Sequence, residues 1–158
     1  MNKPTRVLHP SAASPSYDAD GYGWAMAQAA LISARQFDKV DWDNVAEEIE
    51  SVGRRERGEY ESHLIRILAH LIKWDVQPER RGMSWWLSIM DGRDNAERFL
   101  NANPSLKPHL EEIFQDALKY ARRQAERETG LRQARIAAIA LSYEDAVSKP
   151  IARPEPID

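Results

Sequence analysis

The stretch His70-Leu71-Ile72-Lys73-Trp74-Asp75-Val76-Gln77-Pro78-Glu79-Arg80-Arg81-Gly82-Met83-Ser84-Trp85-Trp86 decides how the chain is laid out. Its first part ends a long run of apolar residues at three- and four-residue spacing: Tyr60, Leu64, Ile67, Leu68, Leu71 and Trp74. That spacing predicts a helix over residues 54–75 with one buried face. Gln77-Pro78 stops it, because a residue before proline is pushed away from helical angles. Ser84 then reads as the N-cap of a new helix carrying Trp85, Ile89, Ala96, Phe99 and Leu100 inward. Gly92 inside that helix costs about 1 kcal/mol relative to alanine and points to a close approach by a neighbour.

Working outward, Asp18 reads as the cap of a first helix reaching Gln36, with Trp24, Ala27, Leu31 and Ala34 on one face. Asp41 caps a second, whose Trp42, Val45, Ala46, Ile49 and Val52 share a face expected to be buried. Gly53 is expected to kink or end it. Towards the C-terminus, Asn103-Pro104-Ser105 reads as a turn and cap, and residues 106–127 as a helix burying Leu110, Ile113, Phe114, Ala117, Leu118, Ala121 and Ala125. Its acidic start and basic end suit the helix dipole, and Thr129-Gly130 closes it. Residues 131–141 are expected to be helical, and Ser142 to cap a short last turn with Tyr143 and Val147. No strand pattern appears. The expected class is all-α: an antiparallel bundle of about five main helices with a short C-terminal one. Residues 1–16 read as a loose arm, 17–149 as a single domain, and 150–158, with three prolines, as an extended tail.

Composition narrows the function. The 158 residues carry a net charge of −3 and no cysteine. The acidity gives no general attraction to nucleic acid or to an anionic membrane, and no run approaches the roughly 20 apolar residues of a membrane span. Without thiols there are neither disulfides nor thiolate metal sites, which suits a cytoplasmic protein. No signal-peptide pattern opens the chain. Gly-rich phosphate loops, a nucleophile elbow and a dinucleotide fingerprint are all missing.

The chemistry-bearing residues gather around two places. In Glu47-Glu48-Ile49-Glu50, Glu48 and Glu50 flank the apolar face while Glu47 points away, so one carboxylate can enter a bundle but hardly three. Paired glutamates on helices can hold a divalent ion, and so can Glu59 with His63, four apart. His63 and His70 are seven apart, roughly 10 Å along a helix, too far to share one ion. Lys73, Arg80 and Arg81 surround Trp74, Trp85 and Trp86. Such a group can take a phosphate or carboxylate, stack a base, or close the turn through cation–π contacts.

These residues also carry a resemblance. Asp41-Trp42-Asp43-Asn44-Val45-Ala46-Glu47-Glu48-Ile49-Glu50-Ser51-Val52-Gly53 resembles one signature of the bacterial family known as domain of unknown function 29. His70-Leu71-Ile72-Lys73-Trp74, with Gln77-Pro78-Glu79-Arg80 and Ser84-Trp85, resembles its second. Asn103-Pro104-Ser105-Leu106-Lys107 and Glu128-Thr129-Gly130-Leu131 resemble two more, and Tyr17-Asp18 with Trp24 its start. The chain departs at Ile139-Ala140-Leu141-Ser142-Tyr143, where the family usually has a segment ending in Cys-Pro-Tyr. The resemblance implies an all-helical prokaryotic domain with no established activity, cofactor or partner. It also implies a shared polar cluster of Glu47, Glu48, Glu50, His70, Lys73, Gln77, Arg80 and Trp85.

Two functions are therefore expected to compete. One is a non-enzymatic module that forms homo-oligomers or binds a protein partner, using no cofactor, no nucleic acid and no membrane. The other is a metal-dependent or acid–base enzyme built on Glu47, Glu48 or Glu50 with His63 or His70. Single-strand nucleic-acid binding through Arg80, Arg81, Trp85 and Trp86 is a third, weakened by the overall acidity.

Overall fold

The computed structural model describes residues 15–155, all of it helix, turn or loop. Most of the expected N-terminal arm, and the last three residues of the tail, lie outside the described residues. Six α-helices follow in order: α1 (Gly21–Ser33), α2 (Trp42–Val76), α3 (Met83–Ala102), α4 (Leu110–Thr129), α5 (Gln133–Ala137) and α6 (Tyr143–Ser148). Single 3-10 segments at Phe37–Lys39, Pro78–Arg80 and Pro104–His109 connect the first four. The chain divides into two compact units, Met1–Val52 and Gly53–Asp158.

The largest departure from the sequence reading is α2. Gly53 does not end it: the two expected helices are one helix of 35 residues. A lone glycine costs about 1 kcal/mol in a helix interior. The run around it is rich in glutamate and arginine, which lose little side-chain freedom in a helix. The Arg57–Glu61 pair, 3.5 Å apart at i,i+4, adds a little more. The expected inward face of its first turns is also corrected. Trp42, Ile49 and Val52 do share a stripe, but they are 50%, 67% and 53% exposed.

In the first unit, Asp20 rather than Asp18 caps α1, its Oδ1 accepting the Gly23 N–H at 2.9 Å. The helix ends at Ser33, and Arg35 turns the chain with a left-handed φ of 57°. Trp24 and Gln28 are its buried residues.

The second unit holds the core. Leu64, Ile67, Leu68, Leu71 and Ile72 of α2 meet Ile89 and Ala96 of α3, and Ile113, Phe114, Ala117, Ala121 and Ala125 of α4. Ile136 and Ala146 close it from the two short helices. Ser84 is not a cap: α3 starts one residue earlier behind Gly82, and Ser84 is exposed in its first turn. Pro104 and Pro108 instead shape a 3-10 segment, so α4 begins only at Leu110. It ends as expected at Gly130, which takes the left-handed cap with φ 68°. Residues 131–141 are helical only over Gln133–Ala137. Ser142 caps α6 in a full capping box with Asp145. The Ser142 amide and hydroxyl hold the Asp145 carboxyl below its usual range.

Gly92 lets α3 approach α2 closely, since a Cβ there would lie 2.8 Å from Cγ1 of Ile67. Gly53, by contrast, has open space where a Cβ would go. The two glycines therefore predict opposite outcomes. Gly53→Ala should raise stability by about 0.5–1 kcal/mol through helix propensity alone. Gly92→Ala should lower it, because crowding of about 1–3 kcal/mol outweighs the same gain. Thermal melts of the two variants check this; equal shifts would show that Gly92 makes no tight contact.

Candidate functional site

The polar residues singled out by sequence fall in both units. In the first, Trp24 donates its indole N–H to Oδ2 of Asp41 at 3.1 Å, and the Asp41 amide donates to Oε1 of Gln28 at 2.9 Å. The Asp41 carboxylate also accepts from the Asn44 amide group and backbone N–H at the start of α2. Asn44 and Trp24 hold its pKa low against the opposing effect of burial. Tyr17 stacks edge-on against Trp24 and donates its hydroxyl to Oε1 of Glu48 at 2.8 Å. That bond to a carboxylate, then burial and the charges of Glu48, Glu47 and Asp18, push the Tyr17 hydroxyl up to about 12. Glu48 is thus engaged in seating the N-terminal turn, while Glu47 and Glu50 are exposed.

In the second unit Lys73 is the centre. Its ammonium is buried and lies 2.5 Å from Oε2 of Glu128, at the end of α4. It also sits 5.1 Å from the centroid of the Trp85 ring. Oε1 of Glu128 takes a second bond from the Gln124 amide at 2.7 Å. Burial alone would raise the Glu128 carboxyl, but the Lys73 and Gln124 hydrogen bonds with the Lys73 charge outweigh it and hold it low. One turn back, His70 uses Nδ1 against the Arg66 carbonyl at 2.8 Å. Burial lowers its pKa first; the Arg66 carbonyl and Glu128 oppose, while the nearby Lys73 and Arg66 charges lower it further. Gln77 is buried and Arg80 exposed.

The last carbonyls of α2 need partners that the helix does not supply. Arg81 Nε donates to the Trp74 carbonyl at 2.7 Å while its guanidinium lies 5.4 Å from the Trp74 ring centroid. Arg135 donates to the Val76 carbonyl at 2.9 Å. Lys149 reaches Asp75 at 3.1 Å. Trp86 gives its N–H to Ile151 and lies beneath Arg153. Cations thus gather where the helix dipole is negative.

Sequence reasoning named Lys73, Trp85 and the Arg81–Trp74 cation–π closure of the turn. It read Asp41 only as a cap and Trp24 only as a packing residue, and it missed Glu128 and Arg135 as members of these networks. Glu128 had a signal: it opens the fourth signature block, and the structure joins that block to the second one through Lys73. His63 meets Phe99 edge-on and lines a shallow cavity with Glu59. Among the described residues, no three histidine or carboxylate side chains gather as a metal ion would need. A cavity of about 440 Å³ is lined by Tyr60, Arg93, Asp94 and Glu97, among others. Its Tyr60 and Tyr143 hydroxyls are bonded to each other at 2.8 Å, and burial pushes the Tyr60 hydroxyl up, so it stays protonated.

Fold and site together define an all-α helical protein in which a buried lysine is paired with a partly exposed carboxylate. The chain belongs to the family described as Domain of unknown function DUF29, whose model matches residues 16–149. No curated protein and no solved structure matches it. No helix among the described residues is long and apolar enough to cross a membrane.

The Lys73–Glu128 pair is asymmetric, with the lysine side chain 7% exposed and the glutamate 40%. Losing the exposed partner strands a buried charge, whereas losing the buried one leaves a carboxylate that water can reach. Glu128→Gln should therefore destabilise more than Lys73→Met, by about 1–3 kcal/mol, the lower end reflecting solvent screening. Chemical denaturation of both variants checks the order.

Acid sensitivity follows from the same corner. His70 and Glu128 both have folded pKa values below their unfolded ones, so the unfolded chain binds more protons as pH falls. Stability should be full above about pH 6.5 and decline in two stages, through the histidine range and then below about 4.3. His70→Gln should flatten the first stage only. Melting curves between pH 7.5 and 3 measure both.

Proposed function

We propose that this protein is a non-catalytic interaction module that binds a basic amphipathic helix of another protein along the first turns of α2. The observation that carries this is the stripe of Trp42, Ile49 and Val52, each half exposed or more, with half-buried Val45 between them, at three-four-three spacing on a continuous helix. Phe37, half exposed, extends it, its ring 6.3 Å from that of Trp42. Large apolar side chains aligned in this way are a helix-in-groove or coiled-coil surface. A single exposed leucine or valine needs no account, but an aligned set does.

The charge around the stripe favours a partner over a second copy. Asp43 and Glu47 are exposed beside it, and no lysine or arginine lies between Asp41 and Val52. Two copies paired antiparallel so as to bury all four apolar residues would set these acidic collars against each other. A helix with an apolar stripe and lysine or arginine flanks meets both features. The stripe covers 11 residues, about 15 Å of helix, so the affinity should be modest and salt-sensitive. The buried use of Lys73 supports a non-catalytic reading: its ammonium is held by Glu128 and Trp85 rather than offered to a substrate.

The test uses a synthetic 18-residue Leu/Lys amphipathic peptide, with a Leu/Glu peptide of the same pattern as control. Saturable binding of the first and not the second is expected, by fluorescence of Trp42. Ile49→Glu/Val52→Glu should weaken it more than tenfold, since burying each side chain contributes about 1.5–3 kcal/mol, with an unchanged melting temperature. Equal binding by that variant would overturn the proposal. So would sedimentation showing that the wild type forms a dimer abolished by the same substitutions.

A further inference from the structure

The cavity between α4 and α5 is the second place where the sequence leaves an unbalanced feature. Lys119, Arg122 and Arg123 line it together, on one face of α4. Like charges three and four apart on a helix repel, and all three residues lie ahead of the last turn of α4, where the dipole would favour them. Among the described residues none of the three forms an ion pair, whereas Arg57, Lys73 and Lys149 each have a carboxylate. Arg123 lies 5.8 Å from the Tyr120 ring centroid, and Arg122 Nη2 reaches the Ile139 carbonyl at 3.3 Å. Arg122 Nε is buried with no hydrogen-bond partner.

We propose that this cavity binds a small organic phosphate monoester. Three cations against the single carboxylate of Glu126, also in the lining, leave a surplus of two positive charges, which a phosphate dianion would match. The planar guanidinium suits tetrahedral oxyanions, and a lysine adds a point charge. The floor is apolar, formed by buried Leu118 and Ile136, which suits an organic body rather than the bare ion. Gln133 at the rim offers both a donor and an acceptor. The volume, about 410 Å³, lies within the range of small-molecule sites, about 300–1,000 Å³. This site is separate from the apolar stripe on α2 and stands or falls independently of it.

Calorimetric titration with phenyl phosphate and with inorganic phosphate, at fixed ionic strength in chloride, tests the proposal. Phenyl phosphate should bind one to one, several-fold tighter than inorganic phosphate. Lys119→Gln/Arg123→Gln, at two exposed positions, should weaken phenyl phosphate at least tenfold without lowering the melting temperature. Arg127→Gln, on the same helix but outside the cavity, should leave binding unchanged. Failure of either ligand to saturate, wild-type affinity in the double variant, or an equal loss in the Arg127 control would each overturn the site.

Discussion

The contact on which the larger unit depends is the bond between Lys73 and Glu128. One residue lies near the end of α2 and the other near the end of α4, 55 positions away. An ammonium removed from water is tolerable only beside an opposite charge in good geometry, and Glu128 and the Trp85 face supply it. That requirement fixes where α4 ends relative to the close of α2, and it brings the N-terminal turn of α3 over the same spot. Apolar burial around Leu68, Ile72, Ala121 and Ala125 provides most of the driving force but little directionality. The charged pair adds the register that apolar contact leaves loose.

The same end of α2 shows how a helix terminus inside a fold is satisfied. Arg81 and Arg135 donate to its last carbonyls, so residues that look like a basic patch on paper are spent on backbone acceptors. Arg93 repeats the device at α6, donating to the carbonyls of Ala146 and Asp145. Burial lowers its pKa, though a guanidinium remains charged. Arg57 bridges Glu112 and Asp116 of α4, with Glu61 beside it. Against this background Lys119, Arg122 and Arg123 differ in lining one cavity together, and among the described residues none of the three forms an ion pair.

The opening turns of α2 and the far turns obey different constraints. Beyond Tyr60 every apolar position at three-four spacing is buried. Before Gly53 the same pattern faces solvent. In the first unit Trp24 and Gln28 of α1 bond to Asp41, just ahead of α2, and Tyr17, ahead of α1, bonds to Glu48; these engage the cap and flank of α2 rather than its stripe. Periodicity reports that a face is apolar; it does not report what covers it.

By itself the sequence determined the all-helical class, the places where proline and glycine end helices, the close approach at Gly92 and the inward face of α4. Each of these is local: it follows from dihedral preference, capping chemistry or spacing within one helix. It misjudged Gly53 because a single unfavourable residue is weighed against flanking turns whose combined preference no one position displays. It named Lys73 and Trp85 but not the carboxylate between α2 and α4, since pairing over 55 positions is settled only when two helices pack. Tertiary structure alone decided which charges meet, which carbonyls are capped by arginine, and which apolar stripe is left in water. Those are properties of neighbours brought together by burial, and a linear pattern carries no record of them.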